Sequence, residues 1–267
     1  MVSASATTSP DALERQFAEL RAAGRRALVV YVTAGHPGIA ESLDLLRGLD
    51  DAGADVIEVG VPFSDPMADG PVIQASSQRA LAHGMTLDKT FDLIARAHVR
   101  APVVLFSYLN PLLSRRADLL ERAADAGVHG VLVTDLPVGA DPEIEGWLGS
   151  GPLAFVRLVA PTTPPARMAE IGRHGRGFVY LISRLGVTGE RSDLASDLPA
   201  TVAALRAATS LPICVGFGIA RPDQAAAVGR LADGVVVGSA VVRAADRDIG
   251  AALSLVRAMR ASLDELP

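Results

Sequence analysis

Short apolar runs recur along the whole chain, separated by stretches in which apolar residues return every third or fourth position. The runs are Ala27–Val32, Asp55–Val59, Pro102–Phe106, Gly130–Thr134, Ala154–Val159, Phe178–Ile182, Pro212–Val215 and Gly234–Val237. They are continuous and rich in β-branched residues, the pattern of parallel strands buried on both faces. The intervening segments read as helices. Ser42–Ala52 places Leu43, Leu46, Leu49 and Ala52 three apart, and Asp118–Ala126 does the same with Leu119, Ala123 and Ala126. Pro199–Ala208 and Pro222–Val228 each open on a proline, which suits a first helical turn. Eight strand–helix alternations in about 240 residues predict a (β/α)8 barrel, with an open doubly wound sheet as the competing arrangement.

Three further features refine the outline. Ala52-Gly53-Ala54-Asp55, Ala126-Gly127-Val128-His129 and Leu231-Ala232-Asp233-Gly234 each lead into a strand, a weak internal repeat in which glycine ends a helix. Pro10–Arg21 predicts an extra helix, with Ser9 as its N-cap, Pro10 at its first position and Leu13, Phe17 and Leu20 as a stripe to cover one barrel end. No linker or shift in composition divides the chain. Residues 10–267 are therefore expected to form a single TIM-barrel domain with an extra N-terminal helix, and residues 1–9 a disordered tail.

Composition removes several function classes. Lys+Arg is 25 and Asp+Glu 30, a net charge of −5 over 267 residues, with no basic stripe for nucleic acid. The start has neither a basic segment nor an apolar core of signal-peptide type, and no apolar stretch reaches transmembrane length, so a cytoplasmic protein is expected. Cys214 is the only cysteine, which excludes a disulfide framework and a Cys-based zinc site and predicts a small core residue. Lys89 is the only lysine and sits at a helix start, where it is expected to be solvated. Schiff-base chemistry, pyridoxal phosphate anchoring and a P-loop each need a lysine in the site. Of five histidines only His36 follows a strand end, so no metal-ligating cluster emerges.

The ends of the strands then point to a site, because barrel chemistry sits at the C-terminal strand ends. Glu58 is a charge inside the otherwise apolar run Val56-Ile57-Glu58-Val59. Facing inward, it is a carboxyl in low dielectric with a raised pKa, the profile of a general acid/base; facing outward, it pairs with an arginine. The loop that follows, Gly60 to Pro71, is rich in proline and glycine and carries Asp65 and Asp69. After strand six, which ends Ser183-Arg184, the segment Leu185 to Asp193 reads as a long, polar, glycine-containing loop of the sort that closes over a site. Gly216-Phe217-Gly218 and Gly238-Ser239 end strands seven and eight, where bare amides bind phosphate without a lysine. The residues together suggest a metal-free lyase or isomerase acting on a small phosphate ester through two carboxylates.

The run Glu58-Val59-Gly60-Val61-Pro62-Phe63-Ser64-Asp65-Pro66-Met67-Ala68-Asp69-Gly70-Pro71 closely resembles the signature of the tryptophan synthase alpha subunit. Thr33-Ala34-Gly35-His36-Pro37, Tyr108-Leu109-Asn110-Pro111, Asp135-Leu136-Pro137, Ser183 to Gly189, Gly216 to Ile219 and Gly238-Ser239-Ala240 match in family order. The resemblance implies a TIM barrel that cleaves indole-3-glycerol phosphate to indole and glyceraldehyde 3-phosphate by a retro-aldol reaction. It implies Glu58 as acid/base and Asp69 as the group holding the indole N–H. Tyr31, Tyr180 and Phe217 would line the pocket, and Thr188 would meet Asp69. Phosphate would rest near Gly189, Gly218, Gly238 and Ser239. Asp65, Asn110, Pro111, Asp135 and Pro137 match the face that meets a beta subunit in an α2β2 complex. That partner would carry pyridoxal phosphate, and this chain no cofactor. His36 stands where the family commonly has an acid, and Leu185 where it commonly has a small residue. A stand-alone lyase shares the same catalytic residues. An idle activator of the beta subunit disagrees with intact Glu58 and Asp69, and another phosphate-binding barrel disagrees with the strand-two loop.

Overall fold

The computed structural model describes residues 11–182, 197–216 and 218–267. In chain order it runs α1 (Ala12–Ala22), β1 (Ala27–Thr33), α2 (Ile39–Ala52), β2 (Val56–Gly60), α3 (Pro71–Ala82), α4 (Leu87–Ala97), β3 (Val103–Ser107), α5 (Leu109–Leu113), α6 (Leu119–Asp125) and β4 (Val128–Val133). It continues with α7 (Pro142–Gly149), β5 (Ala154–Val159), α8 (Pro165–Arg173), β6 (Val179–Ile182), α9 (Leu198–Ala208), β7 (Ile213–Gly216), α10 (Pro222–Gly229), β8 (Gly234–Val237), α11 (Ser239–Ala245) and α12 (Ile249–Asp264). The eight strands close a parallel barrel in sequence order, β8 returning to β1. The open doubly wound sheet is thereby ruled out. No helix among the described residues is long and apolar enough to cross a membrane.

Every expected strand forms, with ends moved by one or two residues for identifiable reasons. Asp55, expected inside β2, stands just before it. Its backbone N–H donates to Leu28 O, while its carboxylate accepts the Leu28 N–H at 2.8 Å. Asp233 treats Ile213 of β7 the same way, at 2.9 Å. β4 starts two residues early, at Val128, because His129 sits in an irregularity of the β3–β4 register, where its Nδ1 accepts the Val103 N–H at 3.2 Å. The weak repeat thus has a common job, a side-chain acceptor for the first amides of a neighbouring strand. Glycine ends the helix with positive φ at Gly53 and Gly127, whereas Gly234 lies within β8.

Strand residues that point outward, such as Leu28, Val30, Ile57 and Leu105, join the helices in one apolar layer. Those pointing inward, such as Val29, Val56, Val104, Leu132 and Val156, fill the barrel with Leu13, Phe17 and Leu20 of α1. Helix α1 therefore plugs the N-terminal mouth, as its stripe predicts. It starts later than expected, at Ala12, because the carboxylate of Asp11 caps it by accepting the Glu14 N–H at 2.8 Å. Ser9 and Pro10 lie outside the described residues. A Cβ at Gly130 or Gly177 would press on Leu13, so these glycines make room for the plug. Cys214 is buried in the same interior cluster. Lys89 is exposed and donates to Gly84 O at 2.7 Å, away from the strand ends.

Candidate active site

With one mouth plugged, the barrel opens at the other, and a cavity lies there. Glu58 forms part of its floor. Alternation along β2 turns Val56, Glu58 and Gly60 inward, so the one charge in the strand meets the cavity and not a helix. Its register partners are Tyr31 on β1 and Val104 on β3. The side chain is 0% exposed, and neither carboxylate oxygen meets a hydrogen-bond partner among the described residues. Burial alone pushes its pKa from the ordinary 4.5 to about 8. At neutral pH Glu58 is therefore a carboxylic acid with a proton to give.

Tyr31 and Tyr180 stand beside it on β1 and β6, and both line the cavity. Glycine at 60 and 216 is what lets them fit. A Cβ at Gly60 would overlap the Tyr31 hydroxyl, and one at Gly216 the Tyr180 hydroxyl. Burial and the nearby carboxylates drive both phenols far above their ordinary range, so they remain neutral. The Tyr31 hydroxyl meets Thr33 Oγ1 at 3.4 Å, which pairs with Ser76 Oγ at 2.7 Å and so ties β1 to α3.

The loop between β2 and α3 folds back over this floor and delivers Asp69. Gln74 of α3 holds the loop by donating to Asp69 O at 2.9 Å. The Tyr108 hydroxyl donates to Asp69 Oδ2 at 3.2 Å and accepts the Ala68 N–H at 2.8 Å. Burial raises the Asp69 pKa to about 6, and the bond from Tyr108 opposes that rise. Near pH 7 the cavity thus presents one protonated and one ionised carboxyl group, an acid and an acceptor facing the same space.

The far end of the cavity is built from Gly218, Ile219, Ala220, Gly238, Ser239 and Ala240. Gly218 has φ +81°, a left-handed backbone that favours glycine. Ser239 opens α11, and Arg243 on the next turn lines the same space. Arg243 is the one basic side chain among the described lining residues. Small residues, bare amides and one cation at a cavity end suit an anionic group.

Of the residues predicted for the site, Tyr31, Glu58, Asp69, Tyr180, Gly218, Gly238 and Ser239 share this one cavity. Thr188, Gly189, Phe217 and Leu185 lie outside the described residues. Asp65, Asn110, Pro111, Asp135 and Pro137 do not line it. They follow β2, β3 and β4, Asp65, Asp135 and Pro137 in loops and Asn110 and Pro111 in α5, all exposed but the half-buried Pro111. Met67, 87% exposed, adds an apolar side chain to that rim. His36 is buried away from the cavity, its Nε2 3.4 Å from Asp246 Oδ1, with Arg79 on the same carboxylate. Burial holds its pKa below the ordinary 6.5. Among the described residues no group of three or more His, Cys, Asp or Glu is placed to hold a metal ion. Ile73, Phe106, Thr134, Leu158, Ile182 and Arg243 line the cavity without having been singled out by sequence. For Thr134 and Arg243 a signal existed, a polar residue one step past β4 and a cation on the helix after β8.

Residues 17–266 match the family model described as "Tryptophan synthase alpha chain". The tryptophan synthase alpha chain of Geobacter sulfurreducens is 48% identical over 243 residues, covering 89% of this chain and 91% of that relative. That of Caulobacter vibrioides is 48% identical over 237 residues, covering 87% and 86%. Among solved structures, Mycobacterium tuberculosis tryptophan synthase superposes with a TM-score of 0.88 at 34% identity, covering 96% of this chain and 99% of the other. Tryptophan synthase subunit alpha from Legionella pneumophila gives 0.88 at 32% identity, covering 97% and 100%.

Proposed function

This chain belongs to the tryptophan synthase alpha chain family, and from that premise we propose that it cleaves indole-3-glycerol phosphate to indole and glyceraldehyde 3-phosphate. The observation that carries the reading is Glu58, a buried carboxylic acid on the cavity floor with no partner among the described residues, facing the same space as an ionisable Asp69. The protonated Glu58 gives its proton to indole C3. The ring nitrogen takes up positive charge, and Asp69, accepting the N–H, offsets it. Glu58, now a carboxylate, takes the proton of the glycerol hydroxyl next to the ring. The bond from C3 to that carbon breaks, its electron pair returns to the ring, and the hydroxyl carbon leaves as the aldehyde. The proton given at the start is regained at the end. General acid–base help of this kind is worth roughly 10²–10⁴-fold.

The protonated ring is its own electron sink, so the reading requires no lysine and no cofactor in this chain. Tyr31 and Tyr180 pack the indole and glycerol parts, while the amides near Gly218, Gly238 and Ser239 receive the phosphate, together with Gly189 beyond the described residues. Thr188 and Phe217 complete the substrate contacts in the same reading. The rim segments carrying Asp65, Asn110, Pro111, Asp135 and Pro137 meet a beta subunit in an α2β2 complex. Indole passes to that partner, whose pyridoxal phosphate does the later chemistry in the cytoplasm.

Indole release from indole-3-glycerol phosphate by the purified chain, with and without a beta subunit, tests the reading. Slow release alone, acceleration by the partner and loss in Glu58→Gln are expected. Release that is fast and indifferent to the partner would identify a stand-alone lyase. No indole under either condition would overturn the activity.

A further inference from the structure

The geometry points to Tyr108 as a positioning residue that aims the Asp69 carboxylate and ties its loop to the neighbouring strand ends. This rests on the lyase reading for its kinetic consequence, though not for its structural one. Tyr108 follows β3 directly, is buried, and does not itself line the cavity. It reaches the Asp69 loop in three places. Its hydroxyl donates to Asp69 Oδ2 at 3.2 Å and accepts the Ala68 N–H at 2.8 Å. Its ring packs on Phe63 with centroids 5.1 Å apart. One side chain thereby fixes both ends of the segment that carries the carboxylate.

The other side of Tyr108 is equally fixed. Ser107 Oγ donates to Tyr108 O at 2.8 Å, the Leu109 N–H donates to Asp135 Oδ1 at 2.7 Å, and the Thr134 hydroxyl donates to Ser107 O at 3.4 Å. Asp135 and the adjoining Asn110 and Pro111 belong to the exposed rim. The phenol is therefore the covalent and hydrogen-bonded step between that rim and the cavity carboxylate.

Among the described residues the other groups facing Asp69 form no ion pair with it. They are Glu58 from β2, Tyr31 from β1 and Tyr180 from β6, with Arg243 of α11 lining the same cavity. Without the phenolic hydroxyl, Asp69 loses the one charge-stabilising donor that the described residues give its side chain, so its proton is held more tightly. Carboxylate and protonated acid differ in what they accept, so the loss appears as a shifted pH dependence and not merely as lower activity.

The test uses the full chain and Tyr108→Phe, which keeps the ring and its packing on Phe63. Carbon-13 carboxyl NMR should show Asp69 titrating about one pH unit higher in the variant, and the acid limb of kcat/KM for indole release should move with it. From a titration near 6, that shift should lower kcat/KM about tenfold at pH 5 and only about twofold at pH 7. In an Asp69→Asn background the same change should cost nothing further. An unmoved Asp69 titration, or an equal loss in both backgrounds, overturns the proposal. A wild-type chain that releases no indole overturns the lyase reading instead, while the NMR titration still decides the Tyr108–Asp69 bond.

Discussion

Replacing Glu58 by glutamine isolates what it costs the fold to keep a carboxyl on the cavity floor. In the folded chain Glu58 titrates at about 8, against 4.5 ordinarily. Below pH 4.5 it is protonated whether folded or not, and contributes no difference. Between the two values the unfolded chain gives up this proton while the folded chain keeps it, so stability falls as pH rises. Above pH 8 both forms are ionised and the whole penalty is present, about 5 kcal/mol from the gap between the two values. Glutamine is nearly isosteric and does not titrate. The melting temperature of Glu58→Gln minus that of the wild type should therefore widen from pH 5 to pH 9, reaching on the order of 10 °C for a chain this size. Other titrating groups are common to both proteins and cancel in the difference. Circular dichroism melts at five pH values suffice. Curves that stay parallel across the range would refute burial as the source of the raised pKa, and with it the case for Glu58 as a neutral acid.

Further outcomes follow from the same geometry. The rate of indole release should rise through about pH 6 as Asp69 ionises and fall through about pH 8 as Glu58 does, and a profile flat from pH 5 to 9 would contradict both assignments. Gly216→Ala should push the Tyr180 ring into the cavity and press on Val236, raising KM and costing about 1–3 kcal/mol in urea titrations. Arg260→Ala should cost about 3–5 kcal/mol, because it removes the guanidinium 2.8 Å from the buried Asp55. That loss should shrink at acid pH, where Asp55, already pushed upward by burial, takes a proton instead; an equal loss at pH 7 and pH 4.5 would contradict it.

The barrel was legible because its strands are buried on both faces and interrupted on schedule by helical spacing. Glu58 was legible for the same reason, since a charge in such a strand must be accounted for. The apolar lining was not. Phe106, Leu158 and Ile182 look like any other strand residue, and only the register separates them from outward neighbours. Asp55 and His129 look like ordinary strand or entry residues, because nothing local reveals a side chain that accepts an amide from the next strand. Tyr108 stood inside a matched motif without a role, since its bond to Asp69 joins positions 39 residues apart.

The two ends of the barrel use the same functional group in opposite ways. At the plugged end Asp55 accepts the Leu28 N–H and the Arg260 guanidinium, and both bonds favour its ionised form against burial. Asp233 accepts the Ile213 N–H beside it, and α1 closes the interior over Leu13 and Phe17. At the open end Glu58 is equally buried and accepts nothing from the described residues. A carboxyl without donors keeps its proton, which is what a general acid at neutral pH requires, and it weakens the fold at alkaline pH for that same reason. Stability and reactivity are thus separated along the barrel axis. The satisfied carboxylates sit where strands must be fastened to one another, and the unsatisfied one sits where a substrate supplies the missing partner.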